Sequence, residues 1–394
     1  MNALVTNART RMAHLCAKSL FQKGHSVYLG DHSDNSYLFP SRYIKGSFTY
    51  PSPYADQEGF IDSIIKFLQA HQPVFLLPTY EETFLFAKHY EKIAPYCHCA
   101  IPPYASILQV HNKWSLYQIA TALNVKTPFT VPLNDYINAG KASPPIDYPF
   151  VIKPRQGGGN WQIYFVKKES EYIEALDKIR AAKIEHRMLI QEFIPTDRKY
   201  SHAVVFKSGI QTAYFTDLHI RDYPSSGGAG CCRISIKDPI IEAMGKKLFE
   251  HLRWNGVAEM EVVRHNITGD YYMIEVNPRI WGGINSALLS GLNIPQILFE
   301  IASNNSSNIK NDYKTDIETR WLWGELRAMH GNITLSQNSL WEFMDILRGL
   351  FHLNRYDEID IADSQVMFSL ILSQIPGKQK KRISGIDSLQ GEWD

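Results

Sequence analysis

The chain has no CxxC pair, no GxGxxG turn, no apolar run of bilayer length and no excess of either charge. Each absence removes a class of function. A structural zinc site needs about four tetrahedral ligands. The five cysteines, with Cys97/Cys99 and Cys231/Cys232 as close pairs, do not supply that spacing. The odd count also argues against a disulfide scaffold and fits a reducing, cytoplasmic compartment. The longest apolar runs, VFLLP and VMFSLIL, fall far short of the roughly 20 residues a spanning helix requires. The start, MNALVTNARTR, lacks the apolar core of a signal peptide. Lys+Arg 41 against Asp+Glu 40 leaves a net charge of +1, so no basic footprint for nucleic acid is present. Small molecules are the expected partners, with neither nucleic acid nor membrane.

What is present is an ordinary globular composition, 44% hydrophobic and 21% charged, over 394 residues. That length predicts two or three domains. The first 110 residues alternate strand and helix. ALVTN, SVYLGD and VFLLPT read as strands, and RTRMAHLCAKSLFQKG, EGFIDSIIKFLQAH and EETFLFAKHYEKI as helices. This βαβ rhythm predicts a parallel sheet covered on both faces. Its first turn is TNARTR, so the dinucleotide fingerprint is missing and a nicotinamide enzyme is disfavoured. Ligands of such sheets bind beyond the carboxyl ends of the strands, which makes Asn7, Arg9, Asp31 and PTYEE (78–82) candidate contacts. For Glu81 and Glu82 the preferred reading is plainer, an acidic first helical turn favoured by the helix dipole.

A proline-rich stretch at 126–149 marks entry to a second domain. FVIKP and QIYFVK then predict two strands joined by RQGGGNW, followed by a helix over ESEYIEALDKIRAA and a strand MLIQEFI. HAVVF, TAYFTDL, GVAEMEVV and YYMIEV read as antiparallel strands, interrupted by the helix IIEAMGKKLFEHLRW. A mostly helical stretch runs from about 320 to the basic tail GKQKKR, which reads as a solvated end.

Four features could carry chemistry. Lys153 ends an apolar strand just before Gly157-Gly158-Gly159, where backbone amides could approach phosphate oxygens; a flexible hairpin would look the same. QEFIP offers an extended backbone flanked by Phe193 and Ile194, suited to an adenine, or else an edge strand ending at Pro195. Glu275 and Asn277 share one strand face, with Arg279 just beyond and Glu261 on a neighbouring strand. An acid in a buried strand is costly unless it is paired or holds a metal. Either Glu275 pairs with Arg279, or Glu261, Glu275 and Asn277 form an oxygen-only set suited to Mg²⁺. Finally, Arg221 and SSGGAG (225–230) form either a substrate clamp and loop or a surface ion pair and linker.

In their order, these motifs resemble the ATP-grasp superfamily, of the carbamoyl-phosphate-synthase-like carboxylate–amine ligase type. The resemblance implies an α/β and α+β architecture. Residues 1–112 would be a Rossmann-like pre-ATP-grasp domain. Residues 113–320 would be the ATP-grasp domain, with a small part at 126–199 and a large part at 200–320, and 321–394 a helical end. It implies Lys113, Lys153, Gly157, Gly158 and Gly159 at the phosphates of ATP. Gln191, Glu192, Phe193 and Ile194 would form the adenine hinge, and Asp197 would sit near the ribose. Glu261, Glu275 and Asn277 would hold two Mg²⁺ ions, replaceable by Mn²⁺, with Arg279 facing the reacting phosphoryl group and Arg221 clamping substrate. Two departures stand out: Trp161 in the glycine turn, and Lys199 near the ribose position. The implied activity joins a small carboxylate to an amine, amino acids among them, through an acyl phosphate, releasing ADP and phosphate. A homodimer is compatible. The rivals are a catalytically silent nucleotide-binding protein and an enzyme that phosphorylates bicarbonate.

Overall fold

The computed structural model describes residues 1–373 apart from 35, 139–143, 158–162, 225–227, 306–308, 334–338 and 350. Strands β1 (Asn2–Val5), β2 (Ser26–Asp31), β3 (Gly46–Thr49) and β4 (Val74–Leu77) form an all-parallel sheet in the order β3-β2-β1-β4. A parallel strand with helices on both faces must be apolar throughout. Accordingly Ala3, Leu4 and Val5, and Val74 through Leu77, are all buried. Side chains alternate between the two layers. Leu4 and Leu76 pack with Phe60, Ile64 and Leu68 of the helix Gln57–His71. Ala3, Val5, Phe75 and Leu77 pack with Ala13, Ala17 and Leu20 of the helix Arg11–Gln22. Both helices start at a side-chain cap: Thr10 accepts from Ala13 N–H, and Asp56 from Gly59 N–H. Edge strand β3 was not anticipated, because its half-exposed GSFT carries no apolar run.

A small antiparallel sheet comprises β5 (Thr130–Pro132), β6 (Phe150–Pro154), β7 (Tyr164–Val166) and β8 (Met188–Glu192), in the order β5-β8-β6-β7. The helix Glu169–Ala181 covers it, setting Tyr172, Ala175, Leu176 and Ile179 against Phe150, Ile152, Val166, Met188 and Ile190.

The large antiparallel sheet contains β9 (Thr196–Lys207), β10 (Ile210–Tyr223), β11 (Ala229–Ile236), β12 (Gly256–His265), β13 (Tyr271–Asn277) and β14 (Glu318–Arg320), in the order β13-β12-β9-β10-β11-β14. Its two faces differ. On one, Tyr200, Val204, Phe206, Ala258, Met260 and Val262 pack with Ile241, Leu248 and Phe249 of the helix Pro239–His251. On the other, Ala203, Val205 and Val257 join Trp281 and Ile284 at one end. The polar residues of the same alternating set, Ser201, Glu259 and Glu261, occupy the other end. The period-2 pattern of β9 and β12 thus places a charged row on an otherwise apolar face.

Beyond β14 the chain returns to the N-terminal domain through an acidic stretch. Asp357 lies 2.9 Å from Arg11, and Asp360 lies 2.8 Å from Lys18 and 2.9 Å from the Tyr43 hydroxyl. Asp363 accepts from His14, the Ser41 hydroxyl and the Arg42 N–H. Among the described residues, no helix is long and apolar enough to cross a membrane. The basic tail lies outside the described residues.

Asp363 is 4% exposed, so Asp363→Ala strands buried donors. The expected loss is about 1–3 kcal/mol, measured as a lower urea midpoint at unchanged slope. A loss below about 0.5 kcal/mol, the scale of an ordinary surface substitution, would show that the return segment is held by other contacts.

Candidate functional site

Strand pairing decides what converges. In the β12–β13 ladder Glu261 stands opposite Glu275, and Glu259 opposite Asn277. On the other side of β12, Ser201 of β9 stands opposite Glu261. Two half-buried carboxylates therefore face each other across one ladder step. Cations surround them. Lys199 Nζ lies 2.6 Å from Glu261, and Lys113 Nζ lies 3.8 Å from Glu275. Lys113 opens the helix Lys113–Ala122, capped by Asn112, and its own N–H donates to Arg155 O just beyond β6. That bond ties the helix start to the strand that presents Lys153.

The electrostatics follow from this crowding. Burial, reinforced by Lys113, pushes the Lys153 ammonium down to about 8, while Glu275 and Glu261 oppose it. Burial pushes Glu261 up to about 7; Lys199 opposes this, and Glu275 and Glu259 add to it. Burial would raise Glu275 as well. There Lys113, Lys153, Lys199 and Arg279 outweigh burial and hold it below its ordinary value.

Arg279 joins the large sheet to the N-terminal domain. Its guanidinium donates to Asn277 Oδ1 at 3.3 Å and to Ile280 O at 3.0 Å, and it stacks 4.9 Å from the centre of the Tyr80 ring. The PTYEE segment therefore lies against the EVNPR turn. Glu82 there is committed to structure, accepting from the Thr6 hydroxyl at 2.6 Å and Thr79 N–H at 3.0 Å. Arg9 pairs with the fully buried Asp31. Asn7, at φ +58°, donates its N–H to the Tyr50 hydroxyl at 2.9 Å.

The other expected residues fall unevenly. Gly157 takes φ +92°, and its carbonyl accepts from Lys113 Nζ at 2.8 Å. Gly158, Gly159, Trp161 and 225–227 lie outside the described residues, as does the Asp197 side chain. In the QEFI stretch, Gln191 donates to the Thr130 hydroxyl at 2.9 Å, while Phe193 is exposed and Ile194 buried. The Glu192 carboxylate accepts from Phe129 N–H at 3.0 Å, and its N–H donates to Phe129 O at 2.8 Å. Glu192 is therefore tied to the segment that leads into β5, while the residue itself stays exposed.

Arg221 departs from expectation. It sits where the β10–β11 register slips, and its guanidinium lies 2.5 Å from Glu325 and 3.0 Å from Asp345. Arg320 shares both carboxylates, at 2.7 and 3.0 Å. Arg221 thus anchors the C-terminal helices and is not available as a substrate clamp. Cys232, Glu325 and Asp345 come within 4.8 Å of one another, as metal ligands would, but the two arginines already neutralise the two acids.

Three residues on the site face were not read from the sequence. Glu259 accepts from the Ser201 hydroxyl at 2.5 Å and from Asn277 Nδ2 at 3.3 Å. Arg233 of β11 lies 3.2 Å from the Ser201 hydroxyl and 3.4 Å from Asp217. A Cβ at Gly283 would meet the Arg233 guanidinium, which would have to shift. Glu259 was legible, two residues before Glu261 on the same strand face; Arg233 lay in a strand that had not been recognised.

The donor set fits a hard divalent cation. Glu261, Glu275 and Asn277 offer oxygen alone. Burial and the neighbouring Glu275 and Glu259 push one of the two facing acids up, and a bound cation would oppose that. Residues 110–283 match a family model described as an ATP-grasp domain. The chain carries an ATP-grasp domain. The matched span contains Lys113, Lys153, the QEFI stretch, Glu261, Glu275, Asn277 and Arg279. A D-aspartate ligase of Enterococcus faecium is 20% identical over 251 residues, covering 59% of each chain, so this chain spans less than two thirds of that relative. A biotin carboxylase of Campylobacter jejuni superposes with a TM-score of 0.64 at 17% identity, over 80% of this chain and 74% of that one. An L-amino acid ligase from Bacillus licheniformis superposes at 0.58 and 17% identity, over 79% and 77%. The two superpositions show a shared ATP-grasp fold.

If Lys153 serves phosphates, Lys153→Met leaves the melting temperature of the ligand-free protein unchanged or higher, because an unpaired buried ammonium is removed. ADP affinity, measured by calorimetric titration, falls about 10- to 150-fold, the equivalent of a charged hydrogen bond of about 1.5–3 kcal/mol. Normal ADP binding with a large drop in melting temperature would make Lys153 a structural residue.

Proposed function

We propose that the protein is an ATP-dependent ligase that joins a small carboxylate to an amine through an acyl phosphate, releasing ADP and phosphate. The observation that carries this reading is the cluster in which Lys113, Lys153, Lys199 and Arg279 surround the paired Glu261 and Glu275. The similarity to a D-aspartate ligase supports amino acids as the acid and amine.

The chemistry follows from the charges. A carboxylate is a poor electrophile, and phosphorylation makes one of its oxygens a leaving group. Lys113 and Lys153 would hold the β- and γ-phosphates against their mutual repulsion. Mg²⁺ bound at Glu261, Glu275 and Asn277 would add neutralisation at those same phosphates. An oxygen of the substrate carboxylate attacks the γ-phosphorus, and the bond to ADP breaks. Arg279, fixed by Asn277 and Tyr80, would face the acyl phosphate. The free amine then attacks the acyl carbon, phosphate departs with the shared oxygen, and the amine's proton is lost. Among the described residues, the adjacent cysteines do not offer a nucleophile in place of this activation. Cys231 and Cys232 are buried, and burial pushes both thiols up, away from the thiolate form.

A second reading keeps the fold and removes the turnover. Lys199 already neutralises Glu261 at 2.6 Å, and a lysine that stays there would compete with the metal. That protein would bind nucleotide and release no phosphate.

Phosphate release from Mg-ATP, screened over pairs of amino acids with bicarbonate as a further acid, separates the readings. For the active pair, ¹⁸O in the acid's carboxylate should appear in the released phosphate, with ADP as the nucleotide product. Label in AMP, or unlabelled phosphate beside a formed amide, would exclude an acyl phosphate.

A further inference from the structure

The loop after β4 holds two adjacent glutamates with different fates. The Glu82 Oε1 is satisfied by Thr6 and Thr79. The Glu81 Oε2 is buried and meets no hydrogen-bond donor. A buried carboxylate oxygen without a partner is costly to keep. Burial, the largest influence, pushes Glu81 up to about 7 although Arg279 opposes it.

The position of Glu81 matters as much as its state. It follows Tyr80, whose ring carries the Arg279 guanidinium, and the same guanidinium donates to Asn277. Arg279 therefore stands between the Glu261–Glu275–Asn277 set and the Glu81 loop. Lys113 and Lys153 line the phosphate side. The opposite side belongs to the N-terminal domain, beyond the carboxyl end of β4, where parallel sheets receive ligands. The ligation brings two charged reactants at neutral pH. The carboxylate is drawn to the lysines and to Arg279, which leaves the ammonium as the reactant that suits an unpartnered carboxylate oxygen.

We propose that Glu81 binds the ammonium group of the amine substrate, on the N-terminal-domain side of Arg279. This assignment deepens the ligase reading and rests on it. The role is binding; the proton is lost before the carbon–nitrogen bond forms. Glu82 is the natural contrast, one residue away and already committed to the fold.

The test compares wild type, Glu81→Gln and Glu82→Gln with the acid–amine pair returned by the phosphate-release screen. Glu81→Gln is expected to raise KM for the amine at least tenfold, with KM for ATP within twofold and the melting temperature nearly unchanged. Glu82→Gln lowers the melting temperature and leaves KM for the amine within twofold. An unchanged amine KM in Glu81→Gln overturns the proposal, as does an equal rise in both variants or a parallel rise for ATP. A second readout needs no turnover. Ethylammonium chloride, against sodium chloride at equal ionic strength, should stabilise the MgADP complex of wild type and not that of Glu81→Gln. Equal stabilisation of both overturns the assignment even where turnover is absent. A wild type that releases no phosphate yet shows the difference would sink the ligase reading and leave the ammonium site standing.

Discussion

Two glutamates facing each other across a strand ladder are the constraint on which the rest of the arrangement depends. Glu261 and Glu275 sit on one face of the large sheet, half-buried, and would repel each other and resist burial if left alone. Cations from separate parts of the chain answer them. Lys113 arrives on a helix start, Lys153 on the small sheet, Lys199 on the neighbouring strand β9 and Arg279 on the turn that follows β13. The position of the small sheet against the large one is therefore coupled to charge balance. A triphosphate with its metal would offer the lysines anions and the glutamates cations, an exchange that preserves the balance while changing the partners.

The surrounding structure fixes these groups in place without using them. Asn277 is held between Glu259 and Arg279, and Glu259 is held by Ser201. Tyr80 gives Arg279 a flat surface on the N-terminal domain. At the outer edge, Arg221 and Arg320 bind Glu325 and Asp345, and the acidic return segment binds Arg11, His14 and Lys18. Buried ion pairs of this kind contribute little net stability compared with apolar packing, but removing one partner is costly. They define where the C-terminal segment docks.

Much of this was legible in the residues. The buried runs of β1 and β4 and the helical spacing between them announced a parallel sheet. The order of Lys153, the glycine turn, QEFI, Glu261 and EVNPR announced the ATP-grasp domain. What was not legible depended on pairing between distant segments. Lys199 read as a group near a ribose, and only the β9–β12 register sets it on Glu261. Arg221 read as a clamp, because its local sequence does not reveal the bulge or the acids on the C-terminal helices. Strand β11 was hidden by its glycine-rich start and by Arg233 and Ser235, polar residues where an exposed segment was expected. Glu192 read as a member of the hinge, and its bond to Phe129 required the β5–β8 pairing to be known.

The central claim is that Glu261, Glu275 and Asn277 hold the metal that meets the phosphates of ATP. A crystal structure with Mn²⁺ and a non-hydrolysable ATP analogue, using the anomalous signal of manganese, tests it most directly. The account predicts manganese between these three side chains, Lys113 and Lys153 turned to the phosphates, and Lys199 withdrawn from Glu261. Manganese at Cys232, Glu325 and Asp345, or nucleotide bound with the Lys199–Glu261 pair intact and no metal beside it, would contradict it.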